Sequence, residues 1–309
     1  MVQTNYRPSS TALLNPCADP IFKILFTNQS KEAHQALTGF LCDILQKTVT
    51  DVVLQPNELS GETITDKQSE FDINCKIDGK IANIEMQGEN KNGDYGKRAE
   101  YHVAHLLNHY TPKGTEWDEI PQVFQISVMN FYFDKNSTDC INHYVLRNME
   151  GRTISETLNV IFMELPKVEK LDDDICKLTK AEMWGKFFLY ASRSDKTDYV
   201  KKLTQVNGGI KMAFTVLENI SQDELNWYHE SRYWMHVSDE LTMKKHARRE
   251  GLAEGRAEGR AEGLAEGLAE GRNAEKVETA KKLLKMGVLS TEQISQATGL
   301  SLEQIEKLK

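Results

Sequence analysis

Two acids and an amide lie on two adjacent stretches in which polar and apolar residues alternate. The segment EFDINCKIDGKIANIEMQ, residues 70–87, alternates on both sides of Asp78-Gly79. Such alternation is typical of half-buried strands, and Asp-Gly between two runs favours a two-residue type I′ turn, because both turn residues need positive φ. We therefore predict a β-hairpin with Asp72 on its first strand and Glu85 and Gln87 on its second.

The turn also predicts which residues oppose one another across the hairpin. The expected pairs are Asp72 with Glu85, Glu70 with Gln87, Ile73 with Ile84, and Phe71 with Met86. Two opposed carboxylates, with Cβ atoms roughly 5 Å apart, destabilise a sheet unless a cation lies between them. Oxygen ligands of this kind suit Mg²⁺ or Mn²⁺, with the remaining positions filled by water and a substrate phosphate. The alternative is the solvated polar face of a surface hairpin.

The order of these residues and their flanks resembles a nuclease signature. Asp72 followed by Glu85-Met86-Gln87 resembles the D…(D/E)-x-K signature of the PD-(D/E)XK nuclease superfamily, in an E-x-Q form. The flanking segments resemble the Rpn family of recombination-promoting nucleases, often labelled transposases. These segments begin at Asp19-Pro-Ile-Phe22-Lys23, Lys97-Arg98-Ala-Glu-Tyr101, Gly114-Thr-Glu-Trp117 and Pro121-Gln-Val-Phe. The resemblance covers about residues 15–135.

This resemblance implies an α/β fold, with a restriction-endonuclease-like mixed sheet flanked by helices. It also implies a Mg²⁺-dependent deoxyribonuclease, an endonuclease that hydrolyses DNA phosphodiester bonds and is associated with recombination or mobile elements. Asp72 and Glu85 would bind Mg²⁺, or Mn²⁺, with Asp19 as an outer acidic ligand. Gln87 would be the third catalytic residue, where the superfamily more often has Lys. Because an amide carries no positive charge, Lys23 or another lysine would have to supply the cation.

Basic residues near this hairpin are candidates for contacts with DNA phosphates. A helix expected over residues 94–110 begins soon after Gln87, so its first turns can lie near the two acids. It carries Lys97, Arg98 and Tyr101, and Arg98 has the planar fork that binds phosphate in a bidentate manner. Lys91 would extend this basic rim, and Lys97 is the second candidate for the missing cation. Lys23, on a first helix over residues 15–27, is the fourth predicted phosphate contact.

Three other groups look like metal sites, but their spacing favours structural roles. The helix over 94–110 carries His102, His105 and His109 without an acid or cysteine at usable spacing, which indicates packed or solvated histidines. Asp172-Asp173-Asp174 precedes a predicted helix, where acids favour the positive end of the helix dipole. The five cysteines form no C-x-x-C pair and no zinc spacing, which favours a reducing compartment.

The remaining pattern predicts further strands, then an all-helical C-terminal extension. Strands are expected over 51–54, 122–133, 141–147 and 158–165, and helices over 31–46, 172–192 and parts of 195–237. We predict four parts: a nuclease-like core (1–170), a helical extension (171–245), a glycine-periodic helical spacer (246–273) and a small helical tail (274–309). The tail contains two capping boxes and resembles a helix-turn-helix in three short helices, so it could bind DNA or protein.

A low-complexity repeat at residues 250–272 has glycine at every fourth position. Each glycine costs a helix about 1 kcal/mol relative to alanine, whereas the intervening Glu, Ala, Leu and Arg favour one. Small residues at every fourth position allow two helices to approach closely. The repeat therefore predicts a helical spacer through which two copies form a homo-oligomer, and a flexible linker is the alternative.

Composition limits the functional classes further. The formal net charge is −8, which argues against indiscriminate nucleic-acid binding, although residues 244–309 carry slightly more basic than acidic side chains. No run of 18 apolar residues predicts a membrane span, and the start MVQTNYRPSS lacks the features of a secretory signal, so we expect a cytoplasmic protein. Two alternatives to the nuclease remain: a catalytically weak, nuclease-derived module that binds DNA or protein, and a structural oligomer built on the glycine repeat.

Overall fold

A computed structural model describes residues 7–59, 69–90 and 93–309, with only the backbone described at 58–59 and 69–70. It contains two compact units, one ending at His236 and the other spanning Val237–Lys309. The finer four-part division stays a prediction. Among the described residues, none of the helices combines the length and apolar character needed to cross a membrane.

The described part of the chain contains eight strands. They are β1 (Val52–Gln55), β2 (Glu58–Leu59), β3 (Ser69–Glu70), β4 (Ile73–Ile77), β5 (Lys80–Gln87), β6 (Val123–Met129), β7 (Ile141–Val145) and β8 (Leu158–Glu164). Six of them form one sheet in the order β1-β4-β5-β6-β8-β7, whereas β2 and β3 pair separately. β5, β6 and β8 are parallel neighbours, and the other pairs of this sheet are antiparallel. The sheet is therefore mixed, as predicted.

Ten α-helices accompany these strands in the described residues. They are α1 (Asp19–Thr27), α2 (Lys31–Leu45), α3 (Tyr95–His109), α4 (Leu165–Val168), α5 (Lys180–Tyr190), α6 (Thr197–Val206), α7 (Gly208–Ile220), α8 (Glu224–Met286), α9 (Thr291–Thr298) and α10 (Leu302–Glu306). Apolar residues of α1, α2, α5, α6 and α7 form the main core with one face of the sheet, whereas α3 packs on the other face. The helix predicted over 172–192 begins only at Lys180, because Thr179 and Glu182 form a capping box there.

The predicted hairpin has the expected turn and, along its length, the expected register. Asp78 and Gly79 have φ values of 46° and 79°, and β4 pairs with β5 from Ile73 opposite Ile84 to Ile77 opposite Lys80. Because no pair precedes Ile73 and Ile84 in this ladder, the predicted pairing of Asp72 with Glu85 is wrong. The pairing of Glu70 with Gln87 is also wrong, because the backbone of Glu70 pairs with Glu58.

The prediction that Phe71 faces Met86 fails for the same reason. Asn57 holds this segment from outside the ladder: its carbonyl accepts from the Phe71 N–H at 2.9 Å, and its side-chain amide donates to the Asp72 carbonyl at 3.0 Å. Phe71 consequently packs with Val103 of α3, on the face opposite to Met86. The alternation of side chains is therefore interrupted next to Phe71, and its ring lies on the face of the sheet opposite to the one predicted.

Helices α2 and α7 touch through two glycines, which makes one stability prediction possible. A Cβ atom added at Gly39 would lie 2.6 Å from the backbone Cα of Gly209, a distance that forces the helices apart. We expect Gly39→Ala to lower the free energy of unfolding by roughly 1–3 kcal/mol, as overpacking does. Chemical unfolding measures this change. Gly208→Ala is the matched control, because its Cβ would meet nothing within 4 Å, and equal losses in the two variants would contradict the contact.

The second unit contains the glycine repeat and the tail. Residues 250–272 are helical and exposed throughout, which confirms the predicted helix. The first of the three predicted tail helices is not a separate helix, because α8 continues through that segment to Met286. Gly287, with a φ of 66°, directly follows the end of α8. Ser290 and Ser301 begin α9 and α10 with the predicted capping boxes, and Ala280, Ile294 and other apolar residues form a small core.

Candidate active site

Glu85 lies near the carboxyl end of β5, and its side chain faces α3. The residue is 1% exposed, so its carboxylate depends on protein partners. Oε1 accepts a hydrogen bond from the Asn83 amide at 2.9 Å and lies 2.9 Å from Nδ1 of His102. Oε2 accepts from the Gln87 amide at 3.0 Å and lies 3.3 Å from the Tyr95 hydroxyl. Both oxygens are therefore held in place from two sides.

These partners keep Glu85 ionised despite its burial. Burial alone raises the pKa of Glu85, but the hydrogen bond and charge of His102, the hydrogen bond from Asn83 and the charge of Arg98 outweigh it. The pKa of Glu85 is consequently below its ordinary value of 4.5. A buried carboxylate that is charged at neutral pH is suited to binding a cation.

Asp72 lies at the point where the β4–β5 ladder ends. Its Oδ2 accepts from the Met86 backbone N–H at 2.9 Å, so its carboxylate is next to the backbone of the residue that follows Glu85. Burial and the charges of Asp19 and Glu85 raise the pKa of Asp72 to about 7, although the Lys23 charge and the Met86 N–H act in the opposite direction. Asp72 and Glu85 are thus close enough to repel each other even though they are not a cross-strand pair.

Lys23 connects Asp72 to Asp19. Its Nζ lies 3.1 Å from Oδ1 of Asp72 and 3.2 Å from Oδ2 of Asp19, one turn earlier on α1. Burial lowers the pKa of Lys23, but the two carboxylates outweigh burial and raise that pKa above 10.5. The structure therefore brings three of the predicted site residues into one chain of ion pairs. Lys23, predicted as a phosphate contact, is bound to acids in this arrangement.

The other predicted phosphate contacts lie on α3. The Arg98 guanidinium carbon is 5.9 Å from the centre of the Tyr95 ring, and its charge helps to lower the pKa of Glu85. Lys97 is exposed, and within the described residues it has no contact with either carboxylate. Tyr101 is 41% exposed and stacks on His105. Lys91 lies outside the described residues.

The residues near the acids that were missed as site residues from the sequence include His102, Tyr95 and Tyr233. His102 was interpreted as packed or solvated, which is right about burial but omits its contact with Glu85. The available signal was its spacing from Tyr95, because residues seven apart share a helix face and both face Glu85. Tyr233 of α8 had no such signal. Its hydroxyl is 3.3 Å from where a Cβ of Gly88 would lie, and its pKa is raised by burial and by the charges of Asp19 and Asp72.

The donor set fits a divalent cation that keeps water and substrate among its ligands. Asp72 and Glu85 supply carboxylate oxygens, and a cation between them would relieve the repulsion that contributes to the raised pKa of Asp72. No group of three His, Cys, Asp or Glu residues suited to holding a metal occurs in the described residues. An ion at this position would therefore need water and substrate phosphate to complete its coordination.

The other groups that look like metal sites have structural partners. Asp173 binds Lys186 and Lys196 at 2.8 Å each, and their hydrogen bonds lower the pKa of Asp173 to about 2. Asp174 caps the short 3₁₀ turn Ile175–Lys177. All five cysteines are free. The acidic run thus has lysines and a helical turn as its partners.

The chain matches the model of a known protein family. The model of a family described as PD-(D/E)XK nuclease family transposase matches residues 16–246 of the 309. No curated protein and no solved structure matches the chain significantly. The matched region includes β1 to β8, the helix α3 and the first part of α8.

Proposed function

The chain belongs to the PD-(D/E)XK nuclease family transposases, and from that membership we propose that it is a metal-dependent endonuclease that hydrolyses DNA phosphodiester bonds during recombination or the movement of mobile elements. Asp72, Glu85 and Gln87 are its proposed catalytic residues. The main supporting observation is the convergence of two carboxylates, the buried Glu85 and the partly buried Asp72, at the position where β4 leaves β5.

Asp72 and Glu85 are the residues that would bind Mg²⁺ or Mn²⁺. When bound, such an ion polarises the phosphate and lowers the pKa of the attacking water. Gln87 contributes by donating to Oε2 of Glu85, which fixes the carboxylate. Asp19 contacts Lys23, which contacts Asp72, so we assign Asp19 the role of an outer acidic residue.

The proposed DNA contacts lie on two helices beside the acids. Arg98 of α3 is near Glu85 and offers a bidentate donor set for a phosphate. Lys97 and Tyr101 are exposed on the same helix. Lys23 of α1 adds positive charge on the Asp72 side. A local basic surface of this kind allows a protein with net charge −8 to bind a polyanion.

The direct test is cleavage of DNA by the purified full-length chain. Supercoiled and linear DNA would be incubated with the protein in Mg²⁺, in Mn²⁺, in Ca²⁺ and in EDTA. We expect nicking or cutting in Mg²⁺ or Mn²⁺ and none in EDTA, because the carboxylates require the ion to act on a phosphate. Equal cleavage in EDTA, or none under any condition, would contradict the proposed activity.

Metal binding should depend on pH through Asp72. The folded protein holds a proton on Asp72 up to pH about 7, whereas the carboxyl has an ordinary pKa of 3.8 in the unfolded chain. The contribution of Asp72 to the stability of the metal-free protein should thus fall from about pH 4 to pH 7 and then stay level. Because Mg²⁺ requires the ionised form, its binding constant should fall about tenfold per pH unit below 7. Calorimetric titrations at pH 6, 7 and 8 measure this, and a constant affinity would show that Asp72 is not the linked group.

A second proposed property is self-association through the glycine repeat. A Cβ atom added at any glycine from Gly251 to Gly271 would meet nothing within 4 Å, so contacts within the chain do not require these glycines. Exposed Leu264 and Leu268 lie in the same repeat. A close helix–helix contact between copies would explain why residues that weaken a helix recur there. This property also suits the alternative function, a catalytically weak module that binds DNA or protein as an oligomer.

Replacing Gly259, Gly263 and Gly267 together by Gln should convert the oligomer to a monomer. The longer side chains hold the two helices apart, while they raise helix propensity, so loss of helix is not the cause. Light scattering on the full-length chain at micromolar concentration measures the mass. The control replaces Glu258, Glu262 and Glu266 by Gln and should leave the mass unchanged. A monomeric wild-type chain would rule out the contact between copies and leave a plain spacer.

A further inference from the structure

His102 contacts both halves of the candidate site, and we propose that it is a positioning residue for the metal ligands. By this proposal, which rests on the proposed metal site, His102 holds the Glu85 carboxylate directly and the Asp72 segment through Phe71. It thereby sets the separation of the two acids before an ion binds. The nuclease signature contains Asp72, Glu85 and Gln87, and the residues of α3 predicted to contact phosphate are Lys97, Arg98 and Tyr101, so none of these assignments gives His102 a role.

The contact with Glu85 is a hydrogen bond of defined direction. Nδ1 of His102 lies 2.9 Å from Oε1 of Glu85. An ionised carboxylate can only accept, so Nδ1 carries the proton and donates it. His102 is 7% exposed and Glu85 is 1% exposed, so water competes little for either atom. Because Asn83 donates to the same oxygen, the carboxylate has one preferred orientation, with Oε2 directed to Gln87.

The contact with the Asp72 segment is made by the imidazole ring. The ring centres of His102 and Phe71 are 5.4 Å apart and their planes meet at 84°, an edge-to-face arrangement. Phe71 is fully buried and directly precedes Asp72. Since the β4–β5 ladder begins only at Ile73, strand pairing does not position Asp72, and the packing of Phe71 contributes to its placement.

One side chain of α3 therefore contacts the Glu85 carboxylate directly and the residue that precedes Asp72. Groups that orient metal ligands in this way typically alter metal affinity 10- to 100-fold when removed. A residue that merely fills the core would act differently, because another ring of similar size would replace it without loss of metal affinity. The two contacts of His102 can be separated by substitution, which provides the test.

Two variants separate the effect of the hydrogen bond to Glu85 from the effect of the ring contact with Phe71. His102→Phe keeps a ring against Phe71 but has no donor for Glu85. His102→Asn loses the ring but places an N–H group on the same Cγ atom that carries Nδ1 in histidine, so it can still donate to Glu85. The control is His109→Phe, an exposed position on the same helix. Each full-length variant would be titrated with Mn²⁺ by calorimetry at pH 8, and its thermal unfolding would be followed in EDTA.

We expect His102→Phe to fold and to bind Mn²⁺ 10- to 100-fold more weakly than the wild type. His102→Asn should bind more tightly than His102→Phe because it keeps the donor to Glu85, but more weakly than the wild type because it loses the contact with Phe71. His109→Phe should bind as the wild type does. Wild-type affinity in His102→Phe would overturn positioning through Glu85, and wild-type affinity in His102→Asn would overturn positioning through Phe71. Either result would leave the metal site standing. A wild-type chain that binds no Mn²⁺ would instead overturn the proposed function, and the role of His102 with it.

Discussion

Replacing Asp72 by Asn should abolish Mg²⁺-dependent DNA cleavage, lowering the rate by on the order of 10³-fold or more, and should leave the protein folded. The rate falls because a bound metal stabilises the charge of the transition state by several kcal/mol, and this stabilisation is lost with the carboxylate that binds the metal. The fold survives because the Asn oxygen can still accept from the Met86 N–H, and Lys23 keeps its contact with Asp19. Cleavage rates at saturating DNA, together with thermal unfolding, measure the two expectations.

The matching change at Glu85 should behave differently in one respect. Glu85→Gln should also abolish cleavage, but it should lower the free energy of unfolding by roughly 1–3 kcal/mol as well. Each oxygen of Glu85 has a donor nearby, His102 and Asn83 at Oε1 and Gln87 at Oε2. The new amide group must therefore point its hydrogens at another donor, whichever way it is turned.

Two further variants provide the controls for these acids. Asp118→Asn changes an exposed acid in the loop before β6 and should cleave at the wild-type rate. Asp19→Asn should have an intermediate effect, since Asp19 contacts Lys23 rather than the carboxylates themselves. If Asp72→Asn or Glu85→Gln cleaved as fast as Asp118→Asn, the assignment of the metal ligands would be wrong.

The hairpin was predictable because its signals are local. Alternation fixes which residues share a face, and Asp78-Gly79 fixes the turn, so the register from Ile73 to Ile77 needed no information from elsewhere in the chain. The glycine stop at Gly287 and the capping boxes at Ser290 and Ser301 are local signals of the same kind. Each of these signals depends only on residues within a few positions of the helix end that it predicts.

The candidate site was less predictable because distant contacts decide it. Asn57, which precedes the hairpin in the chain, accepts a hydrogen bond from the Phe71 N–H, and the Phe71 ring packs against α3. The alternation of residues 70–87 does not predict this contact. The pairing of His102 with Glu85 requires knowing how α3 lies on the sheet. Tyr233 reaches the acids from a helix far along the chain, and no spacing rule connects it to Gly88. Sequence patterns therefore indicated the candidate acids and two of their partners, Gln87 and Lys23, but not His102 or Tyr233.

Lys23 is the strongest candidate for the positive charge that the E-x-Q form lacks. Its ammonium group lies 3.1 Å from Asp72, whereas Gln87 uses its amide to hold Glu85. We expect Lys23→Met to lower the cleavage rate by on the order of 10²-fold, the loss typical of one electrostatic contact to a transition state. Metal affinity measured well above pH 7, where Asp72 is ionised, should stay equal or rise, because the ammonium group competes with the ion for Asp72.

The double variant Lys23→Met with Gln87→Lys separates a charge effect from a structural one. A lysine at position 87 lies on the same side of β5 as Glu85, where the superfamily more often has its lysine, so it can supply the positive charge from another element. We expect the double variant to recover at least tenfold of the rate lost in Lys23→Met, with unchanged metal affinity.

Lys23→Arg serves as the conservative control and should keep most of the activity, because it retains the charge on α1. If Lys23→Met cleaved at the wild-type rate, Lys23 would be only an ion-pair partner of Asp19 and Asp72. If Lys23→Met were slow and Gln87→Lys failed to restore it, the position of the charge, and not only its presence, would decide the rate.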